Sequence, residues 1–318
     1  MRCLCCNKEM TNPKEYEKSV SWHTRCMKRF FGMPVLPEID LSEKALEQLA
    51  DQTIRKGLTV PGVQKKLSLH LDTVDRKARL TLVDYPTGYI LKPQSEDYSC
   101  LPEAEFLSMK MAGIAGIPTV PNALLLFQNK YAYVTKRIDR DGDQTYAMED
   151  FCQLSGRLTA DKYRSSYENC GKVIKTYSRN VGLDLTEFYF RLLFCFCTGN
   201  SDMHLKNFSL IEDHPGSRRF SLSAAYDMLP VNVIMPADKE QMALTLNGKK
   251  RNLKRKDFLI LAENIGVSEK VAMGLMKQLV KHREAFWEEV KVSYVPQEMK
   301  EQLHELIKKR MAVFDGIF

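Results

Sequence analysis

Asp202 and Asn207 stand five positions apart in the run Gly199-Asn200-Ser201-Asp202-Met203-His204-Leu205-Lys206-Asn207-Phe208-Ser209, directly after a strongly apolar segment. These residue types suit phosphoryl transfer, which needs one carboxylate to accept a hydroxyl proton and oxygen ligands to hold Mg²⁺ against a triphosphate. Protein kinases place four residues between base Asp and metal-binding Asn, H-R-D-x-x-x-x-N. Here Asn200-Ser201 replaces His-Arg, and D-x4-N also occurs in polar turns that do no chemistry. A second carboxylate adds weight. Asp227, in Ala224-Ala225-Tyr226-Asp227-Met228-Leu229-Pro230, lies 20 residues beyond Asn207. Strand-like runs at 208–211 and 220–222, split by the turn-rich His214-Pro215-Gly216-Ser217, predict a hairpin between the two carboxylates. Kinases use that order and end it on the metal-binding Asp of D-F-G. On its own, Asp227 would read as a turn or capping residue.

The same chemistry calls for a phosphate loop and a lysine on a following strand. Leu58-Thr59-Val60-Pro61-Gly62-Val63-Gln64-Lys65-Lys66-Leu67-Ser68-Leu69 is a turn followed by an alternating strand, and Tyr89-Ile90-Leu91-Lys92-Pro93 is a strand ending in lysine. Phosphate loops work through backbone N–H groups and nearby positive charge. This one holds a single glycine and lacks G-x-G-x-x-G, and a lone Lys92 would read as a surface lysine.

Taken together, Val60 to Ser68, Ile90-Leu91-Lys92, the G-N-x-D-x-H-x-K-N run at 199–207 and Tyr226-Asp227 resemble the HipA family of bacterial toxin kinases, over residues 45–315. The resemblance implies an ATP- and Mg²⁺-dependent serine/threonine protein kinase of α+β class, with a β-rich small lobe and an all-helical large lobe. By position it implies that Pro61, Gly62, Val63, Gln64, Lys65 and Lys66 form the nucleotide loop and that Lys92 contacts the phosphates. Lys136, Arg137 and Ile138 would be the hinge meeting the adenine. Asp202 would be the base and His204 a phosphate contact. Asn207 and Asp227 would be the Mg²⁺ ligands, with Tyr226 beside the nucleotide. Glu105 fits the partner that holds Lys92, with Glu103 a near alternative. Thr59 occupies the place of the family's regulatory hydroxyl, whose autophosphorylation expels the loop. HipA relatives phosphorylate aminoacyl-tRNA synthetases, so a tRNA-bearing synthetase is the implied class of protein substrate. The loop lies about 60 residues from the start, which resembles the shorter, HipT-like form of the family. In that form a small separate protein, often an antitoxin, supplies the N-terminal subdomain beside a helix-turn-helix repressor.

Which elements must position these groups? Strand-like runs at 66–71, 79–83, 88–92, 122–127 and 131–135 alternate with one helical stretch, 102–115. From Met148 onward the pattern is helical apart from the hairpin around Asp213-His214. Strands first and helices later is an α+β order. The apolar 188–197 run is expected to be a buried helix anchoring the catalytic loop, since small misplacements of a base cost large factors in rate. Residues 228–244 take the place of an activation segment. A helix opening on Ser42 is expected over 42–56, after the proline-rich link Met33-Pro34-Val35-Leu36-Pro37. The expected domains are 1–33, 34–145 and 146–318.

At 318 residues with 44% hydrophobic and 27% charged composition, the chain has the makeup of a globular protein of about two domains. It contains neither an apolar stretch of transmembrane length nor an apolar signal core, so a cytoplasmic location with no membrane partner is expected. Nine cysteines without an export signal argue for reduced thiols. Cys100, Cys152, Cys170, Cys195 and Cys197 read as buried apolar residues. The other four crowd the first 26 positions. Cys3 and Cys6, with His23 and Cys26, form C-x2-C and H-x2-C pairs that suit a tetrahedral, structural Zn²⁺. Cys5 is the spare thiol, unless it replaces Cys6, and a cysteine-rich start with no metal is the other reading. Net charge is +7. Lys249-Lys250-Arg251 and Lys254-Arg255-Lys256 read as solvated helix ends, or as contacts for an acidic protein or nucleic acid. A small-molecule kinase and a pseudokinase scaffolding a repressor complex are the alternative functions.

Overall fold

A computed structural model describes residues 1–39, 66–74, 77–83, 88–127, 129–142 and 144–315. The expected helix at 42–56, Thr59 and the loop residues Pro61 to Lys65 lie outside the described residues. The chain divides into two compact units, Met1–Phe106 with Val120–Asp143, and Leu107–Thr119 with Gln144–Phe318.

The first unit opens with two short helices, α1 (Glu15–Val20) and α2 (Thr24–Phe31). Among its described residues, a six-stranded sheet follows. Its strands are β1 (Glu38–Ile39), β2 (Leu67–Val74), β3 (Lys77–Val83), β4 (Tyr89–Pro93), β5 (Asn122–Phe127) and β6 (Lys130–Lys136), in the order β1-β3-β2-β4-β6-β5. β1 pairs parallel with β3, and the other pairings are antiparallel. Side chains alternate between faces along a strand, and Leu69, Leu91, Leu124 and Val134 are fully buried. Lys92 and Leu124 both lie opposite Tyr133, so the three form one row across β4, β6 and β5.

The chain passes between the units within α3 (Leu101–Ala115). This helix is apolar almost all round, as LPEAEFLSMKMAGIA shows, and its first nine residues are all buried.

The second unit is mainly helical, with α4 (Phe151–Leu154), α5 (Tyr167–Tyr177), α6 (Val181–Thr198), α7 (Val231–Ile234), α8 (Arg255–Ile265), α9 (Glu269–Lys281), α10 (Arg283–Lys291) and α11 (Gln297–Met311). Ser166 and Ser268 cap α5 and α9 by accepting from the Asn169 and Val271 amides, which satisfies N–H groups that have no partner inside the helix. α6 is the central helix. Every residue from Phe188 to Thr198 is buried, as the apolar run predicts. Phe188 also packs on Phe151 and Phe208, with ring centroids 6.3 and 5.0 Å away.

Three expectations change. Met148 does not begin a helix: Met148–Asp150 is a strand, β7, pairing with β8 (Ser209–Glu212), which in turn pairs with β9 (Phe220–Leu222). Three residues are too few to carry a period, so only the partner strand reveals this one. Cys100 is half-buried rather than core, and takes a left-handed backbone (φ 59°) just before α3. The basic cluster is partly spent on the protein itself, since Lys249 pairs with buried Asp257 at 2.7 Å and Lys250 with Glu240 at 3.2 Å.

Candidate active site

The catalytic-type loop begins where α6 ends. Gly199 closes the helix in a left-handed conformation (φ 75°), and a Cβ there would collide with Leu306. The Gly199 carbonyl accepts from the Asn232 amide at 2.9 Å, and the Asn200 amide donates to the Cys195 carbonyl at 2.8 Å. The loop is therefore tied both to its own helix and to the segment that follows Asp227. Asn232 donates through its side chain to Ser201 Oγ and to the carbonyls of Asp238 and Glu240, and Ser201 Oγ donates to Asp238 at 2.6 Å. Buried Arg310 reaches Asn232 Oδ1 at 3.1 Å with its guanidinium 4.7 Å from the Phe196 ring centre.

Within the loop, Asn207 Nδ2 donates to the Asp202 carbonyl at 2.9 Å, and the His204 amide donates to the same oxygen at 2.8 Å. The Asp202 amide in turn donates to Asn200 Oδ1 at 3.2 Å. With its amide nitrogen engaged, buried Asn207 keeps its carbonyl oxygen as the atom able to meet a cation. Asp202 is half-buried, and its Oδ1 accepts from the Tyr163 hydroxyl at 2.5 Å. The Tyr163 ring meets the edge of His204, with centroids 4.9 Å apart. Burial pushes His204 down to about 4, while the charges of Asp202 and Asp227 pull the other way, so the imidazole is neutral near pH 7. Its buried Nδ1 meets no hydrogen-bond partner among the described residues.

Asp227 is half-buried and takes a left-handed backbone (φ 54°), uncommon for a residue with a Cβ. Tyr226 before it donates to the Lys206 carbonyl at 3.1 Å and shares a hydrogen bond with Ser209. Lys206 is itself paired with Asp150 at 2.7 Å. The hairpin β8–β9 thus brings Asp227 back to the loop, close enough for its charge to bear on His204. A carboxamide oxygen and a carboxylate are the hard donors that Mg²⁺ selects.

In the first unit, Lys92 Nζ meets Glu105 at 2.6 Å with both side chains over 95% buried, and lies 5.3 Å from the Tyr133 ring centre. Glu103, the alternative, is instead pushed up by burial. Lys136 ends β6. The Arg137 amide donates to the Gly88 carbonyl at 2.8 Å while its guanidinium pairs with Asp139, and Ile138 is half-buried. Lys66, the described end of the expected nucleotide loop, is exposed.

At the N-terminus, the ligand atoms of Cys3, Cys6, His23 and Cys26 all lie within 4.8 Å of one another. The spacing alone left Cys5 as a substitute for Cys6, and the fold brings Cys6 into this group. Tyr163, Asn232 and Arg310 were not anticipated. No local pattern marks them, since Tyr163 and Asn232 reach the loop from 30 or more residues away and Arg310 meets Asn232 across 78.

The first unit's sheet and the second unit's helices, with a D-x4-N loop and a hairpin to a second carboxylate, define the two-lobed kinase-like fold. HipA from a Shewanella oneidensis toxin–antitoxin complex with HipB and operator DNA has this fold at TM-score 0.68, with 18% identity over 88% of this chain and 74% of that one. CtkA of Helicobacter pylori, described as a proinflammatory kinase, follows at TM-score 0.53 and 14% identity, covering 78% and 94%. The HipA-like C-terminal domain profile matches residues 58–287, and the chain belongs to that family. A Haemophilus influenzae protein provisionally named a kinase is 27% identical over 88% of both chains. A Sinorhizobium fredii protein of similar provisional name, Y4dM, is 32% identical over 77% of this chain and 62% of its own. Among the described residues no helix is long and apolar enough to cross a membrane.

Proposed function

We propose that this chain is a Mg²⁺-ATP-dependent serine/threonine protein kinase of a toxin–antitoxin system. The observation that carries the reading is the Asp202–Asn207 loop, closed by Asn207 Nδ2 on the Asp202 carbonyl and faced by Asp227. Asp202 takes the proton of the acceptor hydroxyl as that hydroxyl's oxygen attacks the γ-phosphorus and the bond to the β–γ bridging oxygen breaks, releasing ADP. Asn207 and Asp227 would hold the metal, which would supply charge neutralisation at the phosphates. Neutral His204 contributes a ring N–H to a phosphate oxygen. Lys92, held by Glu105, and the residues Pro61 to Lys66 are assigned to the phosphates, Lys136, Arg137 and Ile138 to the adenine, and Tyr226 to the nucleotide.

Thr59 is the autophosphorylated hydroxyl. A phosphate there carries roughly −1.5 to −2 charges and competes with ATP for the loop's backbone N–H groups. Family membership supports a translation component such as an aminoacyl-tRNA synthetase as substrate, and a helix-turn-helix repressor and small antitoxin as partners. The small lobe is taken as 34–145 and the large lobe as 146–318, with a structural Zn²⁺ in the N-terminal segment and a cytoplasmic location.

The test is γ-labelled ATP with cell lysate, comparing wild type with Asp202→Ala. Labelling should fall at least ~10²-fold, the low end for losing a general base, and equal labelling would sink the assignment. Thr59→Ala should abolish self-labelling without abolishing transfer to substrate.

A further inference from the structure

The four N-terminal ligands are spread over 26 residues yet converge on one point. The tight turn around Cys3 to Asn7 is closed by the Asn7 amide on the Cys3 carbonyl at 2.9 Å, and it brings up Cys3 and Cys6. His23 precedes the first turn of α2 and Cys26 lies on it. His23 Nδ1 is 3.4 Å from Cys6 Sγ and 3.8 Å from Cys26 Sγ. Metal bonds of about 2.3 Å to sulfur and about 2.0 Å to nitrogen at tetrahedral angles put a sulfur and a nitrogen ligand about 3.5 Å apart. The two separations straddle that value. The His23 amide also points at Cys3 Sγ, 3.3 Å away, as a donor suited to a thiolate. Three thiolates and one imidazole form a closed soft-donor set, the signature of structural Zn²⁺ rather than of Mg²⁺ or Ca²⁺.

What the site holds in place is equally specific. Leu4, next to Cys3, accepts through its carbonyl from the Leu124 amide at 2.8 Å, and Trp22, next to His23, donates through Nε1 to the Leu124 carbonyl at 3.2 Å. Both backbone groups of Leu124 therefore point away from β6, where edge strand β5 would otherwise present them unpaired. Leu124 lies opposite Tyr133, and Tyr133 opposite Lys92. On α2, Phe30 accepts from the Tyr89 hydroxyl at 3.1 Å, and Phe30 and Phe31 pack on the Tyr89 ring at 5.8 and 5.5 Å. Tyr89 is three residues before Lys92 on β4. A segment of this length cannot bury a core of its own, so what fixes its fold also fixes these two anchors.

We infer that Cys3, Cys6, His23 and Cys26 bind one Zn²⁺ that clamps the edge of the sheet and thereby positions Lys92. The metal site stands on its own geometry, and its effect on nucleotide rests on the reading of Lys92 given under Proposed function. Zn²⁺ here is a remote positioning element, with no part in the transfer itself.

The experiment uses the full chain, purified with and without chelator. Elemental analysis should find about one zinc per chain, lost in Cys26→Ser and His23→Ala and kept in Cys5→Ser. Zinc removal should red-shift Trp22 fluorescence and speed hydrogen exchange at the Leu124 amide. It should also weaken MgATP binding, measured by calorimetry, by about two- to thirtyfold, the range for coupling through a packed network. Trp22→Phe, which keeps the ligands and deletes the bond to Leu124, should retain zinc and weaken MgATP in the same direction. That variant keeps the test valid should the ligand variants misfold. Absence of zinc from the untreated protein, or retention of zinc by Cys26→Ser, overturns the site. Zinc bound with unchanged MgATP affinity on its removal overturns the clamp while leaving the kinase reading intact. A zinc-loaded protein that binds no MgATP overturns the clamp and the nucleotide reading together.

Discussion

Tyr163 donates its hydroxyl to Oδ1 of Asp202 at 2.5 Å, although 39 residues separate them in sequence. Tyr163 is 42% exposed, and burial together with the Asp202 carboxylate pushes its own ionisation well above the usual range, so it donates at any physiological pH. The hydrogen bond takes up one of the acceptor positions of the carboxylate assigned above as the base. A net hydrogen bond is worth about 0.5–1.5 kcal/mol, and its loss is small beside that of the carboxylate. Tyr163→Phe should raise kcat/KM for protein substrate by about two- to tenfold, measured by steady-state phosphate transfer. A fall instead would make Tyr163 a group that orients Asp202.

Lys92 and Glu105 form a buried ion pair at 2.6 Å. Removing one partner of such a pair costs about 3–5 kcal/mol, because the other charge stays in the interior. Glu105→Ala should therefore lower the denaturation midpoint markedly, and Glu103→Ala much less. Chemical denaturation of the two variants side by side separates them.

His204 stays neutral because burial drops it from 6.5 to about 4. As pH falls below 6.5 the unfolded chain takes up a proton that the folded chain refuses, so stability falls from pH 6.5 towards 4 and is fully present above that window. The contribution is about 3 kcal/mol. In metal-free protein, His204→Gln should flatten the urea-midpoint profile between pH 4 and 6.5 relative to wild type. Parallel profiles would remove His204 as the cause.

Gly199 ends α6 with φ 75° and has Leu306 against the place of its missing Cβ. Gly199→Ala must strain the backbone and displace Leu306, at about 1–3 kcal/mol. Because Asp202 follows three residues later, kcat should fall more than the stability loss alone would produce. Thermal unfolding and transfer rate measured on one preparation test this.

The sequence by itself determined the parts whose meaning lies in covalent spacing or short periods. The D-x4-N loop, the hairpin to Asp227, the apolar run that became α6, the strands expected at 122–127 and 131–135 and the C-x2-C and H-x2-C pairs were all legible, because residues a few positions apart are held to fixed separations by the chain. Family resemblance favoured Glu105 over Glu103 as the partner of Lys92, and the tertiary structure makes that contact. Glu103 and Glu105 are about 200° apart around a helix, and only the docking of α3 selects a face. Tertiary structure alone decided that Met148–Asp150 is a strand, that Tyr163 reaches Asp202, and that Trp22 finds Leu124 across 102 residues. Such contacts form when distant segments close on one another to bury apolar surface, and no local pattern records which segment will arrive.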